Sequence, residues 1–181
     1  MLVIHPIDRT TEVLKMLYAG LDARVVSDDC SNKEMDHLLK HTSTQERVML
    51  LGHGSDKGLF FREDGEEKFK KVIVGHRNNY MLRRHDGNII GIWCHANLFA
   101  QAEGLHGLFS GMMISEVSEA EEYGIAATHE EILASNKVMF GKLRRLLDEK
   151  VLLHKIPEMM KAWDEEHTPL SEFNYGNFHY M

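Results

Sequence analysis

Short, unbroken apolar runs alternate with amphipathic stretches along the first half of the chain. LVIHP (2–6) reads as a strand, and TEVLKMLYAG sets Val13, Leu14, Leu17 and Tyr18 at helical spacing before Gly20 stops it. ARVV (23–26) is a second strand candidate, and Ser31-Asn32-Lys33-Glu34 is a capping box opening a helix through Met35, Leu38 and Leu39. RVMLLG then gives a third strand that stops at His53. Strand, helix, strand, helix, strand in that order predicts parallel pairing with right-handed crossovers.

Beyond His53-Gly54 the pattern changes. GLFF, the Asp64-Gly65 pair and KFKKVIVG predict a small β-excursion outside the main sheet. HRNNYMLRRHDG supplies a short helix ending at Gly87, and NIIGIW is a strand that delivers Cys94. NLFAQAEGLHGLF reads as a helical stretch broken at Gly104 and Gly107, and MMIS (112–115) as a fifth strand. Ser118-Glu119-Ala120-Glu121 and Thr128-His129-Glu130-Glu131 have the capping-box form. The second opens the longest helix, with Ile132, Leu133, Met139, Phe140, Leu143, Leu146 and Leu147 on one side. KVLLHKIPEMMKAWDEEH continues as a helix with Pro157 in its first turn, and the aromatic tail TPLSEFNYGNFHYM is expected to pack back on the domain.

The expected fold is therefore α/β, a three-layer sandwich around a mostly parallel sheet. Its 181 residues suit one domain, 1–181, with the C-terminal helices (128–166) packed on it. Net charge is -7 and the longest basic clusters are KFKK and LRRH, which argues against nucleic acid as a partner. No window approaches the roughly 18 apolar residues of a membrane span, and the opening apolar run of three is too short for a signal peptide. A cytoplasmic chain without a membrane partner is expected, and the oligomeric state is not fixed by sequence. Cys30 and Cys94 make no disulfide framework, and Cys30 reads as a core thiol. No cofactor and no metal are expected: His95 is the one candidate ligand beside Cys94, but adjacent strand residues point to opposite faces. His76, His85 and His106 read as surface residues, Trp93 and Met112-Met113 as core, and Glu119, Glu121 and Glu122 as a solvated helix face.

The chemistry concentrates at two strand ends. In open α/β sheets ligands sit beyond the carboxyl ends of the strands, so His53 and Cys94 are candidates for one site. A thiol attacks a carbonyl as thiolate, and a nearby imidazole can take its proton. The tetrahedral intermediate also needs N–H donors, for which the Gly54 and Cys94 amides are the candidates, with Ser55 and Gly58 shaping the turn.

VMLLGHGSDKGLFFREDG resembles the strand-His-Gly-x-x-Gly element of the caspase-like cysteine peptidases, the group of caspases, legumains, gingipains, clostripain and separase. NIIGIWCHAN resembles their second element, an apolar strand ending in the nucleophile, and MMISEVSEAEEYGI resembles the strand and substrate-facing loop that follow. The spacing between the two reactive residues, 94 - 53 = 41, is similar to that of caspases. The resemblance covers roughly residues 1–125 and implies strand order 2-1-3-4-5, His53 as general acid/base, Cys94 as nucleophile and Gly54 in the oxyanion hole. It also implies a peptide or protein substrate cleaved next to a charged residue. Asp8, Arg9, Ser115 and Glu116 are the candidates for reading that charge: an inward Asp8 or Glu116 favours Arg or Lys, an inward Arg9 favours Asp or Glu. Trp93 and His95 depart from the family pattern beside the cysteine.

The competing reading is a catalytically silent module of the same fold that binds a regulatory protein partner. A flavodoxin-like nucleotide binder fits less well, because HPIDRTT stands where a glycine-rich phosphate loop would follow the first strand.

Overall fold

In the structure, a computed structural model that describes residues 1–61 and 70–181, the apolar runs become strands. In chain order these are β1 (Leu2–Ile4), β2 (Arg24–Val26), β3 (Val48–Leu51), β4 (Gly54–Ser55), β5 (Gly58–Phe61), β6 (Lys71–Gly75), β7 (Ile89–Ile92), β8 (Gly107–Ser110) and β9 (Phe178–Tyr180). The helices are α1 (Asn32–His41), α2 (Asn79–Leu82), α3 (Ala96–Glu103), α4 (Val117–Glu122), α5 (His129–Asp148), α6 (Ile156–Ala162) and α7 (Pro169–Gly176). The main sheet runs β2-β1-β3-β7-β8-β9, parallel throughout except for β9, while β4, β5 and β6 form a separate antiparallel sheet. Its first five strands follow the expected 2-1-3-4-5; the sixth, drawn from the aromatic tail, was not expected.

Period-two alternation along the strands sets the layers. Val3, Met49, Leu51, Ile90, Ile92 and Leu108 face one core with Leu143 and Leu146 of α5, Met160 of α6 and Tyr175 of α7. Leu2, Ile4, Val48, Leu50, Ile89 and Phe109 face the other with Met35 and Leu39 of α1, Leu82 of α2 and Phe99 of α3. Both faces of the sheet are covered, which is why the strands read as continuous apolar runs. Burying each such aliphatic side chain contributes about 1.5–3 kcal/mol.

The caps of α1 and α5 form as the sequence implies: Ser31 accepts from Glu34 N–H, and Thr128 accepts from Glu131 N–H. Pro157 sits in the first turn of α6, which is shorter than expected and is preceded by a 3-10 turn at Leu153–Lys155. Several expectations shift. Residues Glu12–Leu17 wind as a 3-10 helix held by i→i+3 bonds such as Leu14 N–H to Thr11 O at 2.9 Å. The fifth strand is Gly107–Ser110 and not 112–115. Gly104, at φ +60°, ends α3, and a Cβ on Gly107 would lie 2.2 Å from the Ile89 carbonyl oxygen, so glycine alone lets β8 start beside β7. Gly111 N–H then bonds Asn177 O at 2.7 Å, and Met112–Ser115 runs past the sheet rim. The α4 cap lies at Glu116 and not Ser118, because Glu119 turns back and accepts from Ser115 and Glu116 N–H at 2.7 and 3.1 Å; Glu119 is thus half-buried, while Glu121 and Glu122 are exposed.

His85 is buried and not a surface residue, and that burial lowers its pKa; its Nδ1 bonds Glu46 O at 3.3 Å. Cys30 is only partly buried against the second core. The Asp64-Gly65 turn of the excursion lies outside the described residues.

Candidate functional site

The pairing of β3 with β7 sets Leu51 opposite Ile92, and Gly52 N–H extends that ladder to Ile92 O at 3.1 Å. Two residues beyond those positions, past the ends of the two paired strands, stand His53 and Cys94. Gly52, at φ +140°, breaks the alternation before His53, and it is the lining shared with Leu14 and Phe140 that puts both residues on the face of Leu51 and Ile92, the one covered by the 3-10 turn and α5. They line a single cleft of about 40 Å³ that opens to solvent.

Cys94 is held at a sharp strand-to-helix turn. Ser110 Oγ accepts from Trp93 N–H at 2.9 Å and donates to Trp93 O at 2.7 Å, clamping the residue before it. His95 behind it adopts a left-handed conformation (φ 67°), with its N–H on Gly111 O at 3.1 Å, and α3 starts at the next residue. The Cys94 amide, one of the two expected oxyanion donors, lies between these anchored neighbours. The thiol donates to Met113 O at 3.6 Å. Burial among apolar side chains pushes its pKa up to about 11, and the nearby Glu119 carboxylate adds to the rise. In this state Cys94 is a neutral thiol at neutral pH.

His53 is positioned from the other side. Its Nε2 lies 2.9 Å from Asp8 Oδ2 and 2.8 Å from Thr10 Oγ1. Asp8 is buried and fixed by its own turn: Thr10 and Thr11 N–H donate to Oδ1 at 2.9 and 3.0 Å, as do the Thr10 and Thr11 hydroxyls at 2.8 and 3.2 Å. With a carboxylate on Nε2, the neutral ring carries its proton there, leaving Nδ1 as its basic nitrogen. Asp8 therefore faces the imidazole and not a substrate side chain. His5 lies below, fully buried, with Nδ1 3.1 Å from Tyr18 Oη, and burial lowers its pKa to about 4.

Of the other predicted residues, Gly54 belongs to β4. Phe60 N–H bonds His53 O at 2.8 Å, so Gly54 and Leu59 form a non-hydrogen-bonded pair and the Gly54 amide is turned away from β5. A Cβ there would lie 2.2 Å from Trp93 Cδ1, so glycine is required by the approach of the indole, whose Nε1–H bonds Ser55 O at 3.0 Å. Ser115 lines the cleft, but its hydroxyl donates to Glu119 Oε2 at 3.0 Å. Arg9 is exposed, and Glu116 is half-buried outside the cleft lining.

The sequence reading missed Asp8 and Thr10 as partners of His53. Asp followed by Thr at the second and third positions is an Asx-turn signal, which could have shown Oδ1 occupied and the second oxygen left for a partner. His37 and His41, one turn apart on α1 with ring centroids 4.2 Å apart, lie outside the cleft lining. Among the described residues no group of three or more His, Cys, Asp or Glu side chains is arranged to hold a metal ion, and no helix is long and apolar enough to cross a membrane. Set against protein-family models, curated proteins and solved structures, the chain matches none, so the caspase-like resemblance rests on its motifs.

Proposed function

We propose that the chain is a cysteine peptidase of caspase-like type that hydrolyses peptide bonds through Cys94 and His53. The observation that carries the reading is that both residues line one cleft, each just past the end of one of two paired parallel strands. Because the resting thiol is neutral, its proton passes to His53 as the sulfur attacks the carbonyl, rather than beforehand. The sulfur–carbon bond forms, the oxyanion is met by the Gly54 and Cys94 amides, and collapse expels the amine, which takes its proton from the imidazolium. Water, deprotonated by His53, then cleaves the thioester and regenerates the thiol. Asp8 stabilises the imidazolium formed in each half. A reducing, cytoplasmic setting suits such a thiol.

The thiol's hydrogen bond to Met113 favours the alternative, a silent module that kept the fold. Incubating the protein with a denatured proteome digest and sequencing the new amino termini separates the two. The peptidase yields termini that vanish in Cys94→Ala and His53→Ala; a wild-type protein that yields none is the module.

A further inference from the structure

We infer that the pocket beside Cys94 accepts a short uncharged aliphatic side chain of the peptide, of valine or leucine type, and excludes charged ones. This narrows the peptidase reading above and rests on it. Val13, Leu14, Ile92, Met113 and Phe140 line the cleft together with Cys94, and among the described residues no Asp, Glu, Lys or Arg lines it.

The polar groups in the wall are already spent. Asn136 Nδ2 donates to Ile114 O at 2.9 Å and its Oδ1 accepts from Asn174 at 2.8 Å. The Ser115 hydroxyl is bonded to Glu119, and the Thr10 and Thr11 hydroxyls to Asp8. Two carboxylates near the site are committed as well. Asp8 holds His53, and Glu119 Oε2 accepts three hydrogen bonds from Ser115 and Glu116. A guanidinium or carboxylate entering this pocket would lose its water and meet no opposite charge among the described residues that line it. An aliphatic group would exchange water for the side chains already there, and each well-placed methylene changes selectivity by about 10- to 200-fold. The same surroundings explain why the thiol rests un-ionised, so pocket chemistry and nucleophile state have one cause.

The test uses benzyloxycarbonyl-dipeptidyl chloromethyl ketones differing only in the residue next to the warhead: Val, Leu, Arg or Asp. The sulfur displaces chloride from the methylene carbon, and the adduct on Cys94 is timed by intact mass, with iodoacetamide as a small neutral control. The Val or Leu reagent should label at least about tenfold faster than the Arg or Asp reagent, and Val13→Asp should shift the preference toward Arg. An Arg or Asp reagent that labels fastest on the wild-type protein overturns the inference while leaving the peptidase reading intact. Should none of the peptidyl reagents label a thiol that iodoacetamide does modify, or should His53→Ala label at the wild-type rate, the peptidase reading itself fails and the inference goes with it.

Discussion

Two histidine–aspartate pairs occupy opposite rims of the same sheet. His106 and Asp86 meet at the amino ends of β8 and β7, with side chains 60% and 72% exposed. His53 and Asp8 meet at the carboxyl ends of β3 and β1, with side chains only 16% and 4% exposed. The chemical groups are identical, yet water screens the first pair and leaves it worth little, whereas the second is shielded, ordered by a turn and set beside a thiol. Burial and neighbours, rather than residue type, separate a candidate catalytic pair from a surface contact.

The comparison can be broken by mutation. Cys94→Ala or His53→Ala should abolish peptide hydrolysis, by about 10³-fold or more, measured as new amino termini in a digest. Asp8→Asn comes next: with the carboxylate gone the imidazolium is no longer stabilised, and the rate should fall by about 10²- to 10⁴-fold through kcat rather than KM. Asp86→Asn should leave both constants at the wild-type value, and an equal loss in the two variants would erase the distinction between the rims.

Stability gives the next contrasts. His5 titrates near 6.5 in the unfolded chain and at about 4 in the fold, so from about pH 6.5 down to 4 the unfolded chain takes up a proton that the folded one refuses. Stability from this residue is present above that window and is lost across it, by about 3 kcal/mol, and urea midpoints should fall with pH less steeply in His5→Leu than in wild type. Gly54→Ala should destabilise by about 1–3 kcal/mol, since its methyl would meet Trp93 Cδ1 at 2.2 Å and Gly58 O at 2.4 Å. His106→Ala, at the exposed rim, should leave the urea midpoint unchanged within error.

Much of the architecture was legible because it is written in local periodicity. The doubly buried strands, the caps at Ser31 and Thr128 and the arrival of His53 and Cys94 at strand ends all depend on residues two to four positions apart. β9 was hidden because FHY has too few residues to show a period, and it becomes a strand only by pairing with β8. The fifth strand was misplaced because Leu105, Leu108 and Phe109 imitate helical spacing, and only the fit of Gly107 against Ile89 decides otherwise.

The sequence by itself determined that an imidazole and a thiol would each follow a doubly buried parallel strand, while the adjacency of those strands was implied only by the caspase-like resemblance. Only the tertiary structure decided that Asp8 would bind the imidazole instead of a substrate, that the thiol would rest protonated on the Met113 carbonyl, and that apolar side chains would wall the cleft. Strand character follows from a repeating pattern of nearest neighbours, whereas a side chain's charge state and partner depend on which distant segments exclude water around it.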